Sequence, residues 1–440
     1  MLDIALFRND KDFKKLLESE KNRFRETKNA EETKKYDELW KKAKQTCEEK
    51  KAEKNKITKE IAELAKNKKP IDQLKEKSKK IDTEIKDLEQ KQIEYLKSRD
   101  KYRSEVGNIL WHNTTIGQGE ENNHLIKYWG KAKVQKSHIK QFKTLSGGKM
   151  QFEELKFNPK SHVDIGLEKD LFDLERAAKI SGSRFYFLKN KLAILHLSIL
   201  RFAIDKLMKK GFNFMYTPFI VNKDTIEKTA ELSDFEEMLY KVGNDQFLIA
   251  TAEQTLAGFH MDELIPKDSL PLKYVGLSSC FRREAGSHTK DTRGIFRVHQ
   301  FDKVEQYIFC LPEDSEKIHN EMIKNEEEII QELELPYRLM DICSSDLNLT
   351  AAKKNDLEAW MPVQGTFREL GSGSITTDYQ TRNLNIKYED KNEKFVVHSL
   401  NCTILASPRI LTAIIENHQT KEGKINIPKA LWLYTGFKEI

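Results

Sequence analysis

No glycine occurs before Gly107, and a single proline, Pro70, interrupts that first quarter of the chain. A stretch so poor in helix breakers reads as helix with one central break. Long apolar runs are also missing. The longest extends from Leu192 to Leu207 and is broken by His196, Arg201 and Asp205. A bilayer-spanning helix needs roughly 20 near-continuous apolar residues, so none is expected. The opening MLDIALFRNDKD has no apolar signal core and already carries acids, so a cytoplasmic location is expected. The five cysteines (Cys47, Cys280, Cys310, Cys343, Cys402) are scattered, odd in number and without a CxxC pair. Neither a disulfide framework nor a structural zinc is expected from that pattern. Nor does a GxGxxG or GxxxxGK[ST] follow a strand, and no HExxH or GxSxG occurs.

Charge, in contrast, is abundant: 33% of the 440 residues are charged, for a net +6. It is unevenly placed. Residues 1–107 hold 31 Lys+Arg against 24 Asp+Glu, a net of +7, and the remainder is near neutral. From Tyr36 the positions 36, 40, 43, 47, 50, 54, 57, 61 and 64 alternate steps of four and three. After Pro70 the positions 71, 74, 78, 81, 85, 88, 92, 95, 99, 102 and 106 do the same. A 3.5-residue apolar repeat is a coiled-coil seam. Two seams joined by the turn KNKKP predict an antiparallel helical hairpin over about residues 30–106, turning near Pro70. Its seam carries Lys50, Lys54, Ser78, Gln92 and Arg99, so its middle is expected to be marginal. A basic hairpin is either a solvated spacer or a lever that reaches a polyanion.

From Gly107 glycines, aromatics and mixed periods appear, and residues 108–160 read as a loop-rich connector. Strand-like runs follow: FNFMYTPFI, LKYVGLSSCFRRE, GIFRVHQFDKVEQYIFCL, LPYRLMDIC, DLEAWMP and KFVVHSL. Turns join most of them, with helices around 252–263, 313–333 and 409–420. This spacing predicts an α+β class, with an antiparallel sheet flanked by helices over 161–440. Arg282, Arg283 and Glu284 end one strand, and Arg297, His299, Gln300 and Glu305 lie on the next. A hairpin with arginines at both ends suits bidentate grip of a polyphosphate, although such residues also form surface ion-pair ladders.

At these residues the chain resembles the seryl-tRNA synthetases, a family of class II aminoacyl-tRNA synthetases. SSCFRREAGSHTKDTRGIFRVHQFDKVE is similar to motif 2 (about 277–305), KGFNFMYTPFI to motif 1 (about 210–220, with Pro218), and LNCTILASPRILTAIIENHQ to motif 3 (about 398–419). ERAAKISGSRFYFLK, LIATAEQTLAG and TDYQTRNLNIKY point to the seryl members, and the N-terminal coiled-coil arm fits them as well. The resemblance implies a homodimeric ligase that activates L-serine with ATP and Mg2+, then charges tRNA(Ser), and possibly tRNA(Sec) in organisms that have it. It implies Arg282, Arg409 and Glu369 as catalytic residues. ATP would be bound by Arg282, Arg283, Glu284, Arg297, Val298, Glu369, Leu370, Gly371, Ser372 and Arg409, with Mg2+ at Glu369 and Ser372. Serine would lie against Thr251, Ala252, Glu253, Arg282, Glu305 and Thr403, and Lys41, Lys42, Lys44, Arg99 and Arg103 would contact tRNA. Where many relatives have Glu-x-Ser-Ser-Cys-Ser-Asn, this chain reads Glu369-Leu370-Gly371-Ser372-Gly373-Ser374-Ile375. Two glycines there predict a more flexible strand.

Overall fold

The computed structural model describes residues 1–229, 236–284 and 293–440. It divides into two compact units, Met1–Ile109 and Leu110–Ile440.

The first unit is all helix. A short helical turn and α1 (Asp10–Asn22) precede two long helices, α2 (Lys28–Lys66) and α3 (Asp72–Ser104). At 1.5 Å per residue the long pair spans roughly 50–60 Å. α1 begins properly: the Asn9 side chain accepts from the amides of Lys11 and Asp12. The seam positions meet as their spacing predicts, with Cys47, Ile57, Ile81 and Ile85 buried between α2 and α3. The polar seam lysines do not leave gaps. Lys50 reaches Glu84 across the hairpin at 2.7 Å, and Lys54 reaches Asp82. Nearer the base, Tyr36 stacks on Tyr102, and Asp37 is buried among Arg8, Arg99 and Lys41. Burial alone would raise the Asp37 carboxyl, but Arg8 and Lys41 outweigh it and hold it below the ordinary range.

The second unit is built on an eight-stranded sheet. In chain order its strands and the helices that bear on the site are β1 (His124–Trp129), α4 (Asn190–Lys209), β2 (Asn213–Tyr216), α5 (Ala252–Ala257), β3 (Leu272–Phe281), β4 (Gln300–Cys310), α6 (Ser315–Glu332), β5 (Tyr337–Asp341), β6 (Lys353–Met361), β7 (Thr366–Thr377), α7 (Tyr379–Asn383), β8 (His398–Ala406) and α8 (Ser407–Asn417). The strand order is β1-β5-β6-β7-β8-β4-β3-β2. Every pairing is antiparallel except β3 with β2. The main core lies between this sheet and the apolar faces of α4, α6 and α8. Residues 108–160, read from sequence as a connector, supply the edge strand β1. They also add a small cluster in which Phe142 meets Trp360 edge-on at 4.8 Å.

The β7 strand runs through both of its glycines. Their role is close approach. A Cβ on Gly371 would stand 2.4 Å from Oε1 of Glu326 and 2.5 Å from the Thr403 carbonyl oxygen. One on Gly373 would stand 2.6 Å from Cδ1 of Ile323. Glycine therefore lets α6 pack directly on the strand. Two β-bulges interrupt the central ladders. Leu357 pairs Gly371 but Glu358 pairs Glu369, so Leu370 is extra in β7. Val304 pairs Leu405 but Glu305 pairs Thr403, so Ile404 is extra in β8. Bulges re-aim side chains where they occur, and both lie beside the polar cluster described next.

Candidate active site

The carboxyl-side end of β3, the start of β4, the bulged parts of β7 and β8, and the first turn of α8 enclose one cleft. Arg282, Glu284, Arg297, Lys303, Glu369, Thr403 and Arg409 line it. A wider, open groove continues it and shares Arg297, Glu369 and Arg409. The 285–292 part of the predicted hairpin loop lies outside the described residues.

The cationic wall is held by local bonds. The amide of Arg282 donates to the His299 carbonyl at 2.9 Å, and the Arg282 Nε to the Ala250 carbonyl at 3.2 Å. His299 Nδ1 lies 2.7 Å from the Arg282 carbonyl and so donates to it, a structural role. Arg297 pairs with Glu284 at 2.8 Å. Glu284 takes a φ of +48°, a backbone region that costs a non-glycine residue energy and recurs at functional sites. Arg409 donates to the Glu369 carbonyl at 2.9 Å and lies 3.2 Å from its carboxylate. Burial by itself would raise the Glu369 carboxyl, but Arg409, Lys354 and Arg282 hold it below the usual carboxylate range.

Behind the arginines sits a buried ionic pocket. Lys303 Nζ lies 2.5 Å from Oε2 of Glu305 and donates to the Thr251 hydroxyl at 2.8 Å. The Thr403 hydroxyl donates to Glu305 at 3.3 Å. Glu253 accepts from the amides of Gln380 at 2.8 Å and Asn401 at 3.2 Å. Thr251 also caps the N-terminus of α5, accepting from the Glu253 amide. Burial pushes the Glu305 and Glu253 carboxyls up, and Lys303 opposes this in both. Two carboxylates face one lysine here.

The sequence-predicted residues do not all converge. Arg282, Glu284, Arg297, Val298, Glu369, Leu370, Thr403 and Arg409 line the cleft, and Thr251, Glu253 and Glu305 form the pocket behind it. Ala252 is buried in α5 against apolar neighbours. Arg283 is exposed and is not among the lining residues. Gly371 faces α6, whereas Ser372 pairs Asp356 on the opposite face of the sheet, the face that lines the groove. Three polar partners were missed: Lys303, Gln380 and Asn401. Lys303 is two residues from Glu305 on the same strand, so period-two reading of β4 places both on one face. On the arm, Arg99 and Arg103 are largely enclosed. Arg99 pairs Asp37 and Asp100, and Arg103 donates to the Leu2 carbonyl at 2.7 Å. Lys41, Lys42 and Lys44 are exposed.

A profile described as "Seryl-tRNA synthetase N-terminal domain" matches residues 1–110, and one described as "tRNA synthetase class II core domain (G, H, P, S and T)" matches residues 239–418. A serine–tRNA ligase of Pyrococcus horikoshii is 45% identical over all of this chain and 97% of its own length. The chain belongs to the seryl-tRNA synthetase family. It is thus a class II aminoacyl-tRNA synthetase, a ligase. Another serine–tRNA ligase, from Picrophilus torridus, is 44% identical over the whole chain and 99% of that protein. The crystal structure of the Pyrococcus horikoshii synthetase complexed with ATP superposes with a TM-score of 0.93, covering 100% of this chain and 99% of that one. The Naegleria fowleri cytoplasmic enzyme in complex with AMP gives 0.83 at 37% identity, covering 100% of this chain and 98% of that one. Among the described residues no helix is long and apolar enough to cross a membrane.

Proposed function

We propose that this synthetase activates L-serine with ATP, releasing pyrophosphate, and transfers the seryl group to the 3′ end of tRNA(Ser), and to tRNA(Sec) where one exists. The observation that carries the reading is the buried Lys303–Glu305–Thr403–Glu253 pocket opening onto the arginine-lined cleft. An amino acid is a zwitterion. Two carboxyl groups and one lysine line the pocket, a setting that suits an ammonium, and Arg282 is placed for the carboxylate.

Activation joins a carboxylate to the α-phosphorus while pyrophosphate leaves, and no proton moves in that step. The chain's task is therefore to position two anions and cancel their charge. Arg282 and Arg409 face the α-phosphate region, Arg297 lies farther along the cleft, and Glu284 is offered to the adenine amino group. Glu369 and Ser372 are the residues to hold Mg2+ with ATP. Two findings favour a cation there: Glu369 stands on the cleft wall, and beside it Asp356, the cross-strand partner of Ser372, buries an Oδ1 atom without a hydrogen-bond partner. Mg2+ held by Glu369 and Ser372 would supply positive charge to offset that of the ATP phosphates. Serine is preferred to alanine because alanine leaves the buried Thr403 and Glu305 groups without a partner.

The exposed lysines of the basic arm, Lys41, Lys42 and Lys44 among them, are the phosphate contacts for tRNA. A homodimer is supported by the apolar side chains exposed on α4 and β2, where Leu197 is 62% and Tyr216 68% accessible. The cytoplasm is the site of action. Serine-dependent ATP–pyrophosphate exchange, run beside alanine and threonine, tests the reading. Exchange with serine alone is expected, and Arg282→Ala lowers its rate by roughly 100-fold or more. Absence of exchange with every amino acid from folded protein overturns it.

A further inference from the structure

Glu326 has no part in the chemistry above, yet it lies directly beneath it. It is fully buried on α6, and the same helical face carries His319 and Ile323 against the underside of β7. His319 Nε2 lies 3.1 Å from the Gly373 carbonyl, and Ile323 fills the space that a Gly373 side chain would take. Glu326 occupies the next turn, where the strands part. The β7·β8 ladder pairs Thr377 through Gly373 with Ser399 through Cys402, and no pair follows before the bulges. In that opening Oε2 of Glu326 receives the Cys402 thiol at 3.6 Å. Its Oε1 has no hydrogen-bond partner, and it faces the same gap as the Thr403 carbonyl: both stand within 2.5 Å of the point where a Gly371 Cβ would be.

We infer that Glu326 is a positioning residue, a polar wedge at the fork of β7 and β8 that fixes the spacing between the Glu369–Arg409 and Glu305–Thr403 subsites. One arm of the fork ends in Glu369 and the other leads through Thr403 to Arg409, so the width of the fork sets how the nucleotide and amino-acid subsites face each other. Burial, reinforced by Asp356, raises the Glu326 carboxyl well above its ordinary value, which favours its protonated form. As an acid it turns an O–H toward the carbonyl side of the gap and keeps an acceptor for Cys402. A carboxamide has the same shape and the same pairing of donor and acceptor. Leucine fills the volume but offers neither.

This inference rests on the serine-activating reading, so wild-type exchange with serine is measured first; its absence refutes that reading whatever the variants do. Given wild-type activity, Glu326→Gln is expected to exchange within about threefold of wild type. Glu326→Leu is expected to melt near the wild-type temperature and to keep both KM values within about threefold, but to lose on the order of 100-fold in kcat, the signature of misalignment rather than lost affinity. Wild-type kcat in the leucine variant would show simple packing and overturn the inference. So would a glutamine variant as impaired as the leucine one. If the leucine variant does not fold, Gly371→Ala crowds the same gap from the strand with Glu326 intact. It too must lose kcat selectively, and an unchanged kcat overturns the inference.

Discussion

Lys50 and Lys303 both contact a glutamate, and the two pairs could hardly differ more in consequence. Lys50 and Glu84 bridge the arm with their side chains 33% and 37% accessible; Lys303 and Glu305 are 8% and 1% accessible. Along the middle of the arm water competes for such pairs, so each contributes only about 0–1 kcal/mol and the helices are joined there chiefly by the apolar seam. In the pocket, removing one partner strands the other without solvent. The arm thus carries charge as surface to present, whereas the catalytic unit carries it as internal architecture.

Substitutions can break that contrast. Lys303→Met leaves Glu305 and Glu253 facing each other without their shared cation, and it is expected to cost about 3–5 kcal/mol in denaturant unfolding and to abolish serine-dependent exchange. Unfolding free energy within about 1 kcal/mol of wild type would show that the pocket is wetter than its geometry implies.

Histidine sharpens the contrast through pH. The arm has none, as the first histidine in the chain is His112. In the catalytic unit burial lowers His319 to about 4. Because its folded value is depressed, His319 contributes stability that is complete above about pH 6.5 and is lost as pH falls toward 4. A gap of about 2.5 units corresponds to about 3 kcal/mol. Between pH 7 and 4, wild type should therefore lose about 3 kcal/mol more than His319→Gln, followed by chemical unfolding at each pH. Parallel losses in the two proteins would remove His319 from the account.

Smaller effects are expected elsewhere. Thr403→Val deletes one hydroxyl from a pocket that is otherwise retained, so the preference for serine over alanine in exchange should fall by roughly 10-fold. The smallest belongs to the arm: Lys50→Met should change unfolding free energy by less than about 1 kcal/mol. A larger loss would mean that the polar seam, not the apolar one, registers the hairpin.

The same contrast decides what could be read in the sequence. The arm was legible almost residue by residue, since a repeat of 3.5 is a local signal and Cys47, Ile57, Ile81 and Ile85 meet where their spacing places them. The cleft arginines and Glu369 were legible through motif resemblance. Gln380 and Asn401 were not, because each reaches Glu253 from a distant part of the chain and neither is unusual in its own segment. Glu326 was hidden in the acidic run Glu326-Glu327-Glu328, which looks like a solvated helix face until α6 is placed against the glycines of β7. The glycines were half legible in the same way: their spacing is local, but the close approach of α6 that leaves no room for a side chain there is a tertiary contact.

The two bulges give the site a dependence on parity. In a regular strand, Glu369 would share a face with Gly371 and Gly373 and point into α6. The extra residue, Leu370, turns it back toward the cleft. On β8 the extra Ile404 does the same for Ala406 and for the take-off of the helix that carries Arg409. The ion pair between Glu369 and Arg409 thus joins two chain segments that have each been shifted by one residue. A substitution adjusts the strength of such a site, whereas a frame slip of one residue in either strand would leave every side chain in place in the sequence and put the wrong half of them in the cleft.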